Sequence, residues 1–300
     1  MPSRVLVPWE GLANDDRLRV EVYEGSSGYA GSLEDVEFYA LPYARPKVEQ
    51  LIERMPRLRV VQTLNAGFDD VLPLVPPAAT LCNGRGLHDA STAEHALALM
   101  LAAQREFPKW HDLQRQGEWR REHTGSLADA RVVIVGYGSI GKALEARLLA
   151  CEARVIRVAS RARPDEQVHG IEDLPALLAE ADILALILPL TEQTDGLVDA
   201  DLLRLLPDGA LVVNVGRGRV ARTGALVAEA GRLRMALDVV DPEPLPADSP
   251  LWNAPGVLIT PHVGGGSATF YPRARRFLSA QLARFAADEP LLNVVRGPSA

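Results

Sequence analysis

The chain is poor in several groups on which whole functional classes depend. Only two cysteines, Cys82 and Cys151, stand among 300 residues. They form no CxxC or zinc-ligand spacing, so a disulfide framework is excluded and both read as small buried residues. Positive charge does not dominate: 32 Lys and Arg against 39 Asp and Glu give a formal net charge of −7. The densest basic group, Arg115 to Arg121, contains Glu118 and is followed by Glu122. A polynucleotide surface needs a clustered cationic face, so no nucleic-acid partner is expected. The longest apolar helical stretch, Ala96 to Ala103, falls well short of the ~20 residues of a membrane span, and no membrane partner is expected either. Met1-Pro2-Ser3-Arg4 passes directly into Val5-Leu6-Val7 with no signal-peptide pattern, which gives a cytoplasmic expectation. No Walker loop, GxSxG elbow or HExxH helix is present. His88, His95, His111, His123 and His169 lack metal-ligand spacing, so no metal is expected. Repeats and low-complexity tracts are absent.

What remains is an ordinary globular composition, 47% hydrophobic and 24% charged, long enough for two cores. Short apolar runs alternate with amphipathic ones. Residues 4–7, 20–23, 36–40, 58–64 and 80–82 read as strands of a small first α/β region. Within it, Val48, Leu51, Ile52 and Met55 share one helical face. A long helix, Ser91 to Arg105, opens with the capping-box pattern Ser91-Thr92-Ala93-Glu94 and stops before Pro108. His95 on that helix reads as an interdomain packing residue, and Trp110, Trp119 and Trp252 read as core or interface residues. A second α/β run takes in 131–135, 154–158, 183–188, 211–215, 235–240 and 257–259. After Gly264-Gly265-Gly266 a last helix spans about 268–287. The expected fold is α/β, with two doubly wound parallel-sheet domains of the flavodoxin or Rossmann type. A dinucleotide-binding domain, residues 103–269, is inserted into a discontinuous substrate domain of residues 1–102 and 270–300.

Directly after the strand-like Val132 to Val135 comes Gly136-Tyr137-Gly138-Ser139-Ile140-Gly141, and then a helix. A glycine signature between a buried strand and a helix suits a dinucleotide. Gly136 permits the tight turn, Gly138 the approach of a pyrophosphate, and Gly141 close helix–strand packing. The helix N-terminus adds free N–H groups and partial positive charge. An NAD site normally ends the next strand in Asp or Glu. Here that strand runs into Ala159-Ser160-Arg161-Ala162-Arg163, with no carboxylate before Asp165. A hydroxyl and two guanidiniums suit a 2′-phosphate, so NADP is expected in preference to NAD.

Three later runs each end in a group able to do chemistry. Leu211 to Val215 leads into Gly216-Arg217-Gly218. Met235 to Val240 leads into Asp241-Pro242-Glu243-Pro244. Val257 to Thr260 leads into Pro261-His262. Ligands of parallel sheets sit outside the carboxyl ends of the strands, so Arg217, Glu243 and His262 are expected at one rim. His262 suits a proton donor near neutral pH. Glu243 would orient it and keep it protonated to higher pH, and Arg217 would hold a carboxylate and polarise a carbonyl.

Over essentially its full length the chain resembles the D-isomer-specific 2-hydroxyacid dehydrogenases. The resemblance is carried by Gly136 to Gly141, by Leu188-Pro189-Leu190-Thr191 with Thr194, by Asn214-Val215-Gly216-Arg217-Gly218, by Leu237 to Leu245 and by Thr260-Pro261-His262. It implies that Arg217, Glu243 and His262 are the catalytic set and that Asp238 meets the nicotinamide carboxamide. Leu188, Pro189, Thr194, Val215, Gly216 and Gly264 would join His262 in lining the cofactor site. Asn65-Ala66-Gly67 matches the loop that holds the substrate carboxylate. A homodimer is implied as well. Asp129, Arg222 and the short helix 225–231 depart from the family pattern. Glu243 argues against a formate dehydrogenase and Asn65 against a phosphite dehydrogenase, while Ser160-Arg161 resembles the NADP-using glyoxylate and hydroxypyruvate reductases. The expectation is reduction of a small 2-oxo acid by NADPH. A nucleotide-sensing protein like the corepressors of the same superfamily, or an NAD-preferring dehydrogenase, stands as the alternative.

Overall fold

A computed structural model of the chain describes residues 1–26, 28–43 and 47–298. In chain order the strands and helices are β1 (Ser3–Val7), β2 (Leu18–Val22), β3 (Val36–Ala40), β4 (Val60–Gln62), β5 (Thr80–Cys82), α1 (Asp89–Gln104), α2 (Phe107–Gln116), β6 (Arg131–Val135), α3 (Ser139–Ala150), β7 (Arg154–Ala159), β8 (Val168–Gly170), α4 (Leu174–Leu178), β9 (Ile183–Leu186), α5 (Ala200–Arg204), β10 (Leu211–Asn214), α6 (Thr223–Glu229), β11 (Arg234–Leu237), β12 (Val257–Ile259), α7 (Phe270–Ala286) and β13 (Val294–Arg296). They fall into two units, Met1–His88 with Ala268–Ala300, and Asp89–Ser267.

The first unit carries one sheet in the order β13-β5-β4-β3-β1-β2. All pairs are parallel except the edge pair β13–β5. Leaving out the added edge, this is the 2-1-3-4-5 order of flavodoxin-like sheets. Period-two side-chain alternation builds two cores. Val5, Val7, Phe38, Ala40 and Val60 pack on the α7 residues Phe270, Ala274, Leu278, Leu282 and Phe285. Leu6, Val36, Tyr39, Val61 and Leu81 pack on Val48, Leu51, Ile52 and Met55. The segment expected as an amphipathic α-helix there is a 3-10 helix, Val48–Arg54. Cys82 is fully buried, and burial pushes its thiol up to about 12.

The second unit is a seven-stranded, wholly parallel sheet, β12-β11-β10-β9-β6-β7-β8. Every central strand buries both faces, which is why these segments read as near-continuous apolar runs. Val133, Val135, Leu184, Leu186, Val212 and Met235 face the layer of α4, α5 and α6. Val132, Ile134, Ile183, Ala185, Val213 and Ala236 face α1 and α3 through Ala96, Leu99, Met100, Leu144 and Leu148.

Three expectations are corrected here. The division falls at 88/89 rather than 102/103, because the apolar stripe of α1 packs on α3, β10 and β11. The helix starts at Asp89, so Ser91 lies inside its first turn, and the Ser91 hydroxyl pairs with Ser267 Oγ at 2.5 Å instead of forming the first cap. Trp119 and Trp252 are exposed, which overturns the core alternative of their expected core-or-interface role. Among the family departures, Asp129 occupies a left-handed position (φ 63°) where a glycine is usual, a conformation Asp tolerates better than most residues.

Candidate active site

The second unit's strand order reverses at β6, whose neighbours are β7 and β9. That reversal opens a crevice at the carboxyl ends, the usual place for a nucleotide. Gly136 stands there with φ 106°, and a Cβ on it would lie 2.4 Å from the Ile187 carbonyl oxygen. A Cβ on Gly141 would lie 2.8 Å from Gly136 O, so the helix can pack on the turn only through glycine. Gly138 differs: a Cβ there would meet nothing within 4 Å, so its bare backbone faces open space. α3 starts at the next residue, Ser139, and its first N–H groups have no intrahelical partner. An open glycine beside unpaired donors fits a pyrophosphate.

Tyr137 and the residues after β7 are tied together. The Tyr137 hydroxyl donates to Glu145, and Arg157 Nε donates to the other Glu145 oxygen at 2.6 Å. Arg163 Nη2 donates to Tyr137 O at 2.8 Å while its guanidinium lies 5.8 Å from the Tyr137 ring. Arg163 therefore braces the glycine turn. Ser160 and Arg161 are exposed at the end of β7. On the other side of the crevice, Thr194 Oγ1 donates to Pro189 O at 2.7 Å and accepts from Thr191 N at 2.8 Å, closing the loop after Leu188. Val215 is buried and donates its N–H to Leu186 O at 3.1 Å.

The adjacent strands β10, β11 and β12 bring the other candidates to one edge. Asn214 fixes the turn after β10, since its Oδ1 accepts from Gly216 N and its Nδ2 donates to Arg217 O, both at 3.0 Å. Arg217 Nη1 donates to Gly216 O at 3.0 Å. A Cβ on Gly216 would lie 2.7 Å from Leu188 O, and one on Gly218 only 1.8 Å from Val240 O. After β11, Glu243 Oε1 accepts from Val240 N at 3.1 Å, and Oε2 meets His262 Nδ1 at 2.7 Å. His262 has a left-handed backbone (φ 53°), held by its N–H on Asp238 O at 2.8 Å.

These contacts set the charges. Glu243 raises the His262 imidazole above its ordinary value, against burial and the Arg217 charge. Burial is the largest influence on Glu243 and pushes it up, but the hydrogen bond and charge of His262, the Val240 N–H and the Arg217 charge together outweigh it, and the net direction is down. The two shifts agree on an ion pair. Nδ1 is committed to Glu243, so Nε2 is the nitrogen able to exchange a proton outward. Arg217 acts on both members of the pair. Burial also pushes Asp238 up, yet bonds from His95, Thr260, Val263 N and Gly264 N hold it at about 2.

The sequence model of the D-isomer specific 2-hydroxyacid dehydrogenase NAD-binding domain matches residues 97–264, more than half of the chain. The chain belongs to the D-isomer specific 2-hydroxyacid dehydrogenase family. Among curated relatives, a glyoxylate/hydroxypyruvate reductase B of Escherichia fergusonii is 33% identical over 261 residues, covering 82% of this chain and 77% of that one. A D-3-phosphoglycerate dehydrogenase of Archaeoglobus fulgidus is 30% identical over 298 residues, 94% of this chain but only 56% of its own length. The chain thus spans little more than half of that relative. An NADPH-dependent glyoxylate/hydroxypyruvate reductase of Sinorhizobium meliloti, solved with NADP and sulfate, superposes with a TM-score of 0.84 at 27% identity over 98% of both chains. A family protein of Aeromonas salmonicida gives 0.86 at 27% identity, over 98% of this chain and 99% of that one.

In the first unit of this family member, the loop Asn65-Ala66-Gly67 is anchored by residues that belong to no recognisable motif. Asn65 N donates to Thr63 Oγ1 at 3.1 Å, Asn83 Nδ2 donates to Ala66 O at 2.7 Å, and Gly84 N donates to Asn65 O at 2.7 Å. His88 Nε2 meets Leu64 O at 2.9 Å. His95, expected as an interdomain packing residue, makes a polar contact within the second unit: its Nε2 lies 3.1 Å from Asp238 Oδ1. Among the described residues no cluster of three His, Cys, Asp or Glu could hold a metal ion, and no helix is long and apolar enough to cross a membrane.

Proposed function

We propose that the chain reduces a small 2-oxo acid of the glyoxylate or hydroxypyruvate type to its D-2-hydroxy acid, with NADPH as the preferred reductant. The observation that carries this reading is the 2.7 Å His262–Glu243 pair, felt by Arg217, at the ends of adjacent strands in a sheet with a dinucleotide turn. The bound nicotinamide supplies the hydride, and with it the electron pair that the carbonyl carbon accepts. His262 gives its Nε2 proton to the carbonyl oxygen as negative charge develops there. Glu243 keeps the ring oriented and charged until that moment, then stabilises what remains as the neutral imidazole is recharged from solvent. Arg217 binds the carboxylate as a fork and polarises the neighbouring carbonyl. Asn65, Ala66 and Gly67 contribute main-chain N–H groups to the carboxylate. Gly136 to Gly141, with Leu188, Pro189, Thr194, Val215, Gly216, Asp238 and Gly264, hold the dinucleotide, and Ser160, Arg161 and Arg163 favour a 2′-phosphate. The working form is a cytoplasmic homodimer.

The brace from Arg163 to Tyr137 O supports a second reading, in which one guanidinium is withdrawn from the 2′-phosphate and NADH serves nearly as well. A rate matrix separates them: NADPH and NADH, each against glyoxylate, hydroxypyruvate, pyruvate and phenylpyruvate. Faster turnover with NADPH is expected. A clear NADH preference would establish the second reading, and no turnover of any oxo acid would overturn both.

A further inference from the structure

His95 sits in the middle of α1 among apolar residues, but its ring does polar work. Nε2 lies 2.9 Å from Thr260 Oγ1 and 3.1 Å from Asp238 Oδ1. The Thr260 hydroxyl donates to the same Oδ1 at 2.6 Å. Its one proton is therefore spent, and it can only accept from His95. Nε2 must carry the hydrogen, shared between the Thr260 oxygen and the carboxylate. Val263 N adds a third donor to Oδ1 at 2.9 Å, whereas Oδ2 accepts from Gly264 N, at 2.8 Å. A carboxylate offers about four acceptor positions across its two oxygens. Three donors crowd Oδ1, so the acceptor position still open is on Oδ2. Gly264 keeps that side close, since a Cβ on it would lie 2.9 Å from Oδ2 and 3.4 Å from His95 Cδ2.

We infer that His95 is a positioning residue for the nicotinamide end of the dinucleotide site, locking Asp238 through Oδ1 so that Oδ2 is presented to the carboxamide N–H donors. The inference rests on the reading of the chain as a dinucleotide-dependent dehydrogenase. A rotating carboxylate would present either oxygen. Pinned from α1, from the Thr260 side chain and from two main-chain N–H groups, it presents one. The role is confined to the nicotinamide half, because the adenosine and pyrophosphate contacts lie on β7 and the Gly136 to Gly141 turn.

Calorimetric titration tests this with two probes on the full chain: the reduced dinucleotide that binds more tightly, and the matching ADP-ribose or 2′-phospho-ADP-ribose, which lacks nicotinamide. In His95→Leu the dinucleotide should bind roughly 10-fold or more weakly, as expected for a lost hydrogen bond to a charged acceptor, with ADP-ribose affinity unchanged. His95→Gln, which retains an N–H donor, should recover much of the difference. If His95→Leu fails to fold, Thr260→Val removes the bridging hydroxyl at nearly constant shape and should give the same split. Equal weakening of both probes would make His95 merely structural, and no weakening of either would overturn the inference outright. If the unaltered protein binds dinucleotide no better than ADP-ribose, the dehydrogenase reading fails instead.

Discussion

Replacing Gly218 by alanine drives a methyl group into the backbone that carries the other half of the proposed catalytic set. The added carbon would lie 1.8 Å from Val240 O and 2.1 Å from Val240 C. Ordinary van der Waals contact begins near 3.4 Å, and 3.4 less 1.8 leaves about 1.6 Å of movement to be found, which no rotamer change can supply because both partners are main chain. One side of the contact bears Arg217. The other bears Val240, whose N–H holds Glu243 at 3.1 Å and through it His262. Whichever loop yields, the guanidinium and the imidazole lose their mutual placement. Misplacing catalytic groups by 1 Å costs on the order of 100-fold in rate, so kcat/KM for the best 2-oxo acid should fall at least about 100-fold. The glycine turn after β6 is two strands away from β10, so ADP-ribose affinity should stay within about threefold of the unaltered protein, a change too small to mark a rebuilt site. The assay is steady-state oxidation of the reduced dinucleotide, with calorimetric ADP-ribose binding as the control for folding. A folded Gly218→Ala protein with kcat/KM within about threefold of the parent would refute the argument, since it would show the two loops moving without catalytic consequence.

Two further outcomes follow from the charges. His262 is raised by Glu243, so oxo-acid reduction should persist above the ordinary histidine range and fall as pH rises through the raised value. Glu243→Gln should bring that alkaline limb back toward the ordinary value, and an unmoved limb would mean another group supplies the proton. Stability follows both members of the pair: its contribution is full between the unfolded carboxylate and histidine values, and is lost as pH rises through the raised His262 value or falls through the lowered Glu243 value. The arginines after β7 should separate by role. Arg161→Ala should lower kcat/KM for NADPH about 10-fold or more, as expected for a lost charge-assisted phosphate contact, and spare NADH. Arg163→Ala should lower both alike because it braces Tyr137 O; a selective NADPH loss there would return Arg163 to the phosphate.

Much of this was legible in the residues. Strands were read to the residue at 36–40, 80–82, 131–135 and 257–259, because a short, mostly apolar run bounded by polar or turn residues has little else to become. The three-residue strands β8 and β13 were missed, since their mixed sequences, Val168-His169-Gly170 and Val294-Val295-Arg296, carry neither alternation nor a continuous apolar run. The segment 47–55 showed the right buried face but not its 3-10 winding, which is a matter of hydrogen-bond geometry rather than pattern. At the site, residues on strand ends were accessible because topology alone gathers them. Residues reaching in from another element were not. His95 is 143 positions from Asp238, and nothing in an Ala- and Leu-rich helix signals that one ring meets a buried carboxylate. A histidine in such a helix with no local partner, in a chain with a buried Asp to satisfy, was the available hint. Arg163 shows the converse: its position after β7 suggested a ligand contact, but a free main-chain carbonyl nearby took one of its donors.

The central claim is that the His262 imidazole, oriented by Glu243, is the proton donor for a carbonyl held by Arg217. Turnover by His262→Asn tests it most directly, with dinucleotide binding measured on the same preparation. General acid catalysis contributes roughly 10²–10⁴-fold, so kcat/KM should fall by that factor for every 2-oxo acid that the parent reduces, with dinucleotide affinity preserved. Unchanged turnover of those oxo acids by the folded variant would contradict the account.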